Sequence, residues 1–206
     1  MTNTDDSRPK GSLSSSGGLE AFLPQKSLPS IKTLDSVLRV DLAGEQGAVG
    51  LYEGQIAATK SPEKKETLQD MLAHEQEHEN LFKDLVAETS ARPSFFTPVW
   101  KRLGYAVGWL SGKLGYDWAL AQTEGVETVI ESHYQKQLDF LTKQKPFFLK
   151  KDQLVYIQST IQKCQEDETA HKDHGFEARQ KTLFLDTWKM LNQLGTSIAV
   201  KIAKRF

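Results

Sequence analysis

Four segments of this chain carry acidic residues on the side where leucine belongs. Leu38, Leu42, Glu45, Val49, Tyr52 and Ile56 alternate spacings of four and three, and Leu68, Met71, Glu75, His78, Phe82 and Leu85 do the same. A third series runs Leu120, Thr123, Glu127, Ile130, Tyr134, Leu138, and a fourth Leu154, Ile157, Ile161, Cys164, Glu168, His171, Gly175. This alternation marks the inward seam of a packed helix. Moving one carboxylate out of water costs several kcal/mol even after relaxation, so four such costs rival the roughly 5–15 kcal/mol by which a whole domain is stable. A fold that keeps these acids inside must supply counter-charge.

None of the four stripes contains Arg or Lys. Two divalent ions would do it, and this reading is preferred to a salt-bridged structural core: two M²⁺ ions balance four carboxylates, and two neutral imidazoles complete the set. Glu75/His78 and Glu168/His171 are Glu-x-x-His pairs, and residues three apart on a helix share nearly one face. Glu45 and Glu127 then serve as further terminal or bridging ligands. Mixed carboxylate and imidazole ligation favours iron or manganese over thiolate-rich structural zinc. A Glu from each of two helices plus Glu-x-x-His from two others is the known ligand recipe of ferritin-like di-iron bundles.

One rival motif overlaps the second stripe. His74-Glu75-Gln76-Glu77-His78 matches H-E-x-x-H, the helix signature of zinc peptidases. That reading leaves Glu45, Glu127, Glu168 and His171 unexplained, and the second copy carries Asp167 where the first has His74. It is the weaker of the two.

A length of 206 residues suits one domain with a substantial core, and a net charge of −1 gives no general pull toward nucleic acid. Cys164 is the only cysteine, which excludes an internal disulfide framework and fits a reducing compartment. It reads as a small apolar residue one turn before Glu168. Residues 1–33, polar and without the apolar run of a secretory signal, read as a disordered tail, leaving 34–206 as the domain. Ser61-Pro62-Glu63 predicts a helix start, Asp152 a cap for the fourth bundle helix, and Pro93, Pro98 and Pro146 connections. With strand signals scarce, the fold class is all-α: a ferritin-like four-helix bundle with additional crossover and C-terminal helices.

Residues 92–120 differ in composition. Phe95, Phe96, Trp100, Tyr105, Trp109, Tyr116 and Trp118 crowd there beside Lys101, Arg102 and Lys113, and no apolar run reaches the ~18–20 residues a spanning helix needs. Gly104, Gly108 and Gly112 recur every four positions, a flat strip for close helix contact. Near the C-terminus Trp188, Leu191, Leu194, Ile198, Ala199 and Ile202 share one side and end in Lys201, Lys204 and Arg205. Each segment fits a packed helix or a bilayer-surface anchor.

The ordered motifs resemble the demethoxyubiquinone hydroxylases of ubiquinone biosynthesis. The resemblance rests on Arg39 to Ala48 (RVDLAGEQGA), Tyr52-Glu53-Gly54-Gln55, Glu75-Gln76-Glu77-His78, Arg92-Pro93-Ser94, Pro98 with Trp100, Glu127 with His133-Tyr134, and Asp167-Glu168-Thr169-Ala170-His171. It covers about residue 34 to the C-terminus. Gln46 stands where Tyr or Val is frequent, and Ala170 where many members carry an acid.

The resemblance implies a monooxygenase that uses two iron ions and O₂ to hydroxylate the benzoquinone ring of a polyprenylated intermediate. Glu45, Glu75, His78, Glu127, Glu168 and His171 are the expected ligands. It also implies peripheral attachment to the inner membrane, on the cytoplasmic side in a bacterium or the matrix side in a mitochondrion. An external reductant such as NADH is expected, although no Gly-rich dinucleotide fingerprint follows a strand. A lipid-presenting partner and a homo-oligomer are compatible with the sequence. Tyr52 and Tyr134 each lie two turns beyond a lone glutamate, as relays near the metals or as seam aromatics with satisfied hydroxyls, the latter favoured for Tyr52. His133 is expected near the centre on the resemblance. Competing functions are rubrerythrin-like peroxide reduction, iron storage, and a metal-free membrane-associated adaptor.

Overall fold

Residues 27–144 and 149–205, which the computed structural model describes, form six helices. They are α1 (Ser27–Ala58), α2 (Pro62–Thr89), α3 (Thr97–Leu114), α4 (Tyr116–Gln144), α5 (Lys151–Ala178) and α6 (Leu183–Ala203). No strand occurs among the described residues, as the periodicity predicts. α1 packs on α2 and α4 on α5, and the two hairpins face each other through α2 with α5 and α1 with α4. The crossover helix α3 lies along α1, and α6 lies along α4. This is the ferritin-like bundle with two added helices.

Local chemistry sets most of the boundaries. Ser61 occupies the N-cap of α2 with extended backbone, followed by Pro62 and the dipole-complementing Glu63, although the Ser61 side chain makes no cap hydrogen bond. Asp152 is not the cap of α5. Lys150 holds that position, its amide donating to Gln153 Oε1 at 3.0 Å, while Asp152 sits in the first turn. Pro93 falls in the α2–α3 connection, Pro98 in the first turn of α3, and Pro146 outside the described residues. The tail expected over 1–33 lies outside the described residues up to residue 26, and α1 begins at Ser27.

All four stripes point inward. Leu38, Leu42, Phe82, Leu85, Tyr134, Leu141, Ile157, Ile161 and Cys164 form one apolar cluster, and Leu51, Tyr52, Leu68 and Met71 form another. Glu45, Glu75, His78, Glu127, Glu168 and His171, each at most 3 % exposed, share the same buried stripes. The apolar clusters exclude water from the acids and so raise the free energy of any unpaired charge there.

α1 and α3 meet backbone to backbone. A Cβ on Gly104 would lie 2.1 Å from the Gly47 carbonyl oxygen, and one on Gly54 would lie 2.2 Å from that of Tyr105. The expected glycine strip on α3 is therefore half of a two-sided contact whose other half, Gly47, Gly50 and Gly54, belongs to α1.

Candidate metal centre

The six side chains converge as two overlapping groups. Ligand atoms of Glu45, Glu75, His78 and Glu168 all lie within 4.8 Å of one another, and so do those of Glu75, Glu127, Glu168 and His171. Glu75 and Glu168 belong to both groups. Each Glu-x-x-His pair thus gives its carboxylate to the middle and its imidazole to one end, and each lone glutamate completes one end.

The polar atoms of this core do not satisfy one another. Both Glu75 oxygens, Glu127 Oε2, Glu168 Oε2, His78 Nδ1 and His171 Nδ1 are buried without a hydrogen-bond partner. His78 Nδ1 faces Glu168 Oε1 at 3.3 Å and Glu45 Oε2 at 3.5 Å, and His171 Nδ1 faces Glu75 Oε1 at 3.1 Å. Unsatisfied acceptors aimed at a common point, with imidazole nitrogens turned the same way, fit divalent metal.

Electrostatics separates the four acids. Burial, with repulsion from Glu168, pushes Glu75 and Glu127 well above the ordinary 4.5, and burial raises Glu45. Burial acts the same way on Glu168, but the close approach of the His171 and His78 imidazoles outweighs it and holds that carboxyl at about 2. Burial lowers both imidazoles, yet the nearness of Cys164, Glu168 and Glu45 carries His78 above its ordinary value, and Glu168 does so for His171. The shifts favour proton retention on the imidazoles and on Glu45, Glu75 and Glu127, so a cation binding there releases protons. Burial pushes the Cys164 thiol up to about 12, which makes it an inert packing residue.

Surrounding groups orient these atoms in a crossed pattern. Tyr134 on α4 donates its hydroxyl to Glu45 on α1, and Tyr52 on α1 donates to Glu127 Oε1 on α4 at 3.3 Å. Burial keeps both phenols protonated, hence donors. Tyr52 lies on the buried seam, and a carboxylate of the centre satisfies its hydroxyl. His133 does not reach that centre; its Nε2 lies 3.6 Å from buried Asp41, which also accepts from Gln137 Nε2 at 2.6 Å. The outer nitrogen of each cluster imidazole has its own partner: His78 Nε2 with Asp167 Oδ2 at 3.0 Å, and His171 Nε2 with His74 Nδ1 at 3.1 Å.

Asp167 and His74 were not expected in this role. The signal was present, because each immediately precedes the glutamate of a Glu-x-x-His pair and serves the imidazole of the other pair. The H-E-x-x-H reading fails on the same geometry. His74 belongs to neither cation-binding group among the described residues.

A cavity of about 500 Å³ reaches Glu45, Glu75, Glu127 and Glu168 from one side, walled by α1, α3, α4 and α6. Its lining is mostly aliphatic. Leu103 and Val107 of α3 and Leu191, Ile198 and Ile202 of α6 line it and are solvent-exposed. The outward faces of both helices continue that apolar surface through Leu110, Leu114, Met190 and Leu194. No helix among the described residues is long and apolar enough to cross a membrane.

Fold and site together define a helical-bundle protein with a buried carboxylate–imidazole core able to hold metal. The chain belongs to the family described as ubiquinone biosynthesis protein COQ7, whose model matches residues 32–203. It is 33 % identical over 177 residues to the NADPH-dependent 3-demethoxyubiquinone 3-hydroxylase, mitochondrial, of Dictyostelium discoideum, covering 84 % of this chain and 77 % of that one. The 3-demethoxyubiquinol 3-hydroxylase of Rhodospirillum rubrum is 36 % identical over 154 residues, covering 73 % and 68 %. The 5-demethoxyubiquinone hydroxylase, mitochondrial, of Saccharomyces cerevisiae is 38 % identical over 150 residues, covering 68 % and 64 %. The resemblance read from the motifs is borne out.

Proposed function

We propose that this chain is a di-iron monooxygenase that hydroxylates the ring of a polyprenylated demethoxyubiquinol, a late step in making ubiquinone. The observation that carries this reading is the pair of cation-binding groups, joined through Glu75 and Glu168, at the end of a largely aliphatic cavity. Glu45 with His78 and Glu127 with His171 would each hold one ion, together with Glu75 and Glu168, which belong to both groups. Iron bound there supplies the activation of O₂ and the delivery of one oxygen atom to the ring.

The chain's own residues do the rest. Tyr134 and Tyr52 hold the terminal carboxylates in place by hydrogen bonds. Asp167 and His74 fix the rotation of the two imidazoles. The aliphatic walls exclude water and accept the isoprenoid tail. The tail reaches bulk lipid between α3 and α6, whose exposed apolar faces rest on the bilayer in peripheral attachment, at the inner membrane. Electrons come from a reduced nicotinamide nucleotide. The sequence suggested NADH, whereas the Dictyostelium relative is named for NADPH.

Iron storage or peroxide reduction has no use for such a cavity, and a metal-free adaptor leaves the orphaned acids unexplained. Iron-loaded protein given a demethoxyubiquinol in lipid vesicles under ¹⁸O₂ is expected to hold about two irons per chain and to place one ¹⁸O on the ring. Many ferric ions per chain, or an unmodified ring, would overturn the reading. Asp167→Ala is expected to weaken metal binding roughly 10- to 100-fold while the helices persist. Competition against a graded chelator measures this, and an unchanged affinity denies Asp167 its orienting role.

A further inference from the structure

One end of the cavity differs chemically from the rest. Gln122 of α4 and Trp188 and Asn192 of α6 line it among aliphatic neighbours. Gln122 is fully buried, and its orientation is fixed. Its Oε1 accepts from Ser111 Oγ at 2.6 Å and from Gln55 Nε2 at 3.1 Å, so its amide nitrogen faces the other way and donates to Asn192 Oδ1 at 3.0 Å. Asn192 Nδ2 donates in turn to the Trp188 carbonyl at 2.8 Å. A primary amide carries two N–H bonds, and one on each side chain remains uncommitted. The Trp188 indole Nε1 is also buried without a partner.

The packing that brings these groups together is specific. A Cβ on Gly125 would lie 2.6 Å from the Lys189 carbonyl oxygen and 3.2 Å from Asn192 Cβ, so the bare glycine lets α6 approach α4 at the level of the amide pair. Arg179, at the end of α5, then pins that half of α6 through Glu124 Oε2 at 2.6 Å and Asp186 Oδ1 at 2.7 Å. Gln122 stands five residues before Glu127, roughly 7–8 Å along the axis of α4 at about 1.5 Å per residue. That is close to the span of a substituted six-membered ring.

Three neutral N–H donors in an apolar cavity select an uncharged acceptor such as a carbonyl, phenol or methoxy oxygen. They offer nothing to a hydrocarbon chain. We propose that Gln122, Asn192 and Trp188 hold the oxygen-bearing head group of the quinone and fix which ring carbon faces the carboxylate cluster, while the tail runs toward Leu103, Ile198 and Ile202. This rests on the hydroxylase reading given above and names the groups that confer its ring specificity.

The test compares two probes on iron-loaded protein by equilibrium dialysis: a demethoxyquinone with a short isoprenoid tail, and the same tail on a benzene ring without oxygens. Trp188→Phe keeps the aromatic packing and loses only the N–H; Asn192→Leu removes one amide. Each is expected to weaken the quinone about three- to tenfold and to leave the hydrocarbon probe and the iron content unchanged. If both probes weaken equally, or neither does, the head-group assignment is overturned while wild-type hydroxylation still stands. Wild-type protein that binds the quinone no better than the hydrocarbon and leaves it unmodified overturns both this assignment and the hydroxylase reading.

Discussion

Glu75→Leu is expected to stabilise the metal-free chain and to destroy its capacity for metal, two effects of opposite sign from one substitution. Glu75 is fully buried, and neither of its oxygens has a hydrogen-bond partner. Burial first, then Glu168 and Glu45, drive its carboxyl well above the ordinary range. Leucine removes that desolvation cost and fills the seam, and a buried polar group left without a hydrogen-bond partner costs about 1–3 kcal/mol. Chelated Glu75→Leu should therefore unfold at higher urea than chelated wild type. With iron present the order reverses, because a ligand bound only by the folded state stabilises it in proportion to its affinity, and the variant has lost a group common to both ion sites. Iron content should fall from about two per chain to little or none, whereas Glu127→Leu, at one end only, should spare the other ion.

The same shifts set a pH dependence for the chelated protein. An acid whose folded pKa is raised is protonated in the native state while already ionised in the unfolded chain. Stability from Glu45, Glu75 and Glu127 is therefore complete below 4.5 and lost as pH rises above it toward their folded values. The raised imidazoles contribute in the same sense, with stability present below 6.5 and lost as pH rises through their folded values. Glu168 opposes them: its contribution is complete above 4.5 and disappears as pH falls toward about 2. Three raised acids against one lowered one make metal-free protein less stable at pH 8 than at pH 5, with a shallower slope in Glu75→Leu. Urea midpoints across that interval test this, and a midpoint that climbs with pH would show that the acids are not held out of water.

The sequence exposed the centre because acids in an apolar stripe violate periodicity, and the violation is visible in one dimension. Glu45, Glu75, His78, Glu127, Glu168 and His171 each interrupt a mainly apolar stripe, and the structure brings all six together. The contacts that orient them were harder to see. Tyr52 keeps the apolar pattern, so only its three-dimensional reach to Glu127 distinguishes it from an ordinary core aromatic. Asp167 and His74 sit one residue off the seam and act across the bundle on the opposite hairpin, a relation that spacing within one helix cannot encode. Gln122 and Asn192 were missed for a related reason. They are 70 residues apart and meet only because Gly125 lets α6 close on α4. Asp152 was misassigned because an acid near a helix start has two uses, as cap or as first-turn charge, and Gln153 already bonds the Lys150 amide.

Gly108→Ala is expected to be among the most damaging glycine-to-alanine changes at the described residues. Its Cβ would lie 2.0 Å from the Leu51 carbonyl oxygen and 2.8 Å from that carbonyl carbon, both backbone atoms with no rotamer to change. A Cβ on Gly50 would meet the Lys101 carbonyl oxygen at 2.1 Å from the opposite side, so the contact is equally close in both directions. To admit the methyl, α1 and α3 must separate over several turns. Over-packing of this kind costs about 1–3 kcal/mol and occasionally more, and the upper end applies because no flexible side chain absorbs it. Separation also moves Trp100, Leu103 and Val107 away from Ala43 and Gly47 across the cavity, so quinone affinity should fall together with stability. Gly195→Ala supplies the contrast: nothing lies within 4 Å of its Cβ position, and an alanine in a helix interior gains roughly 0.5–1 kcal/mol over glycine. Urea denaturation of the two variants should give shifts of opposite sign. If Gly108→Ala proves as harmless as Gly195→Ala, the close approach of α1 and α3 cannot be what holds the cavity wall in place.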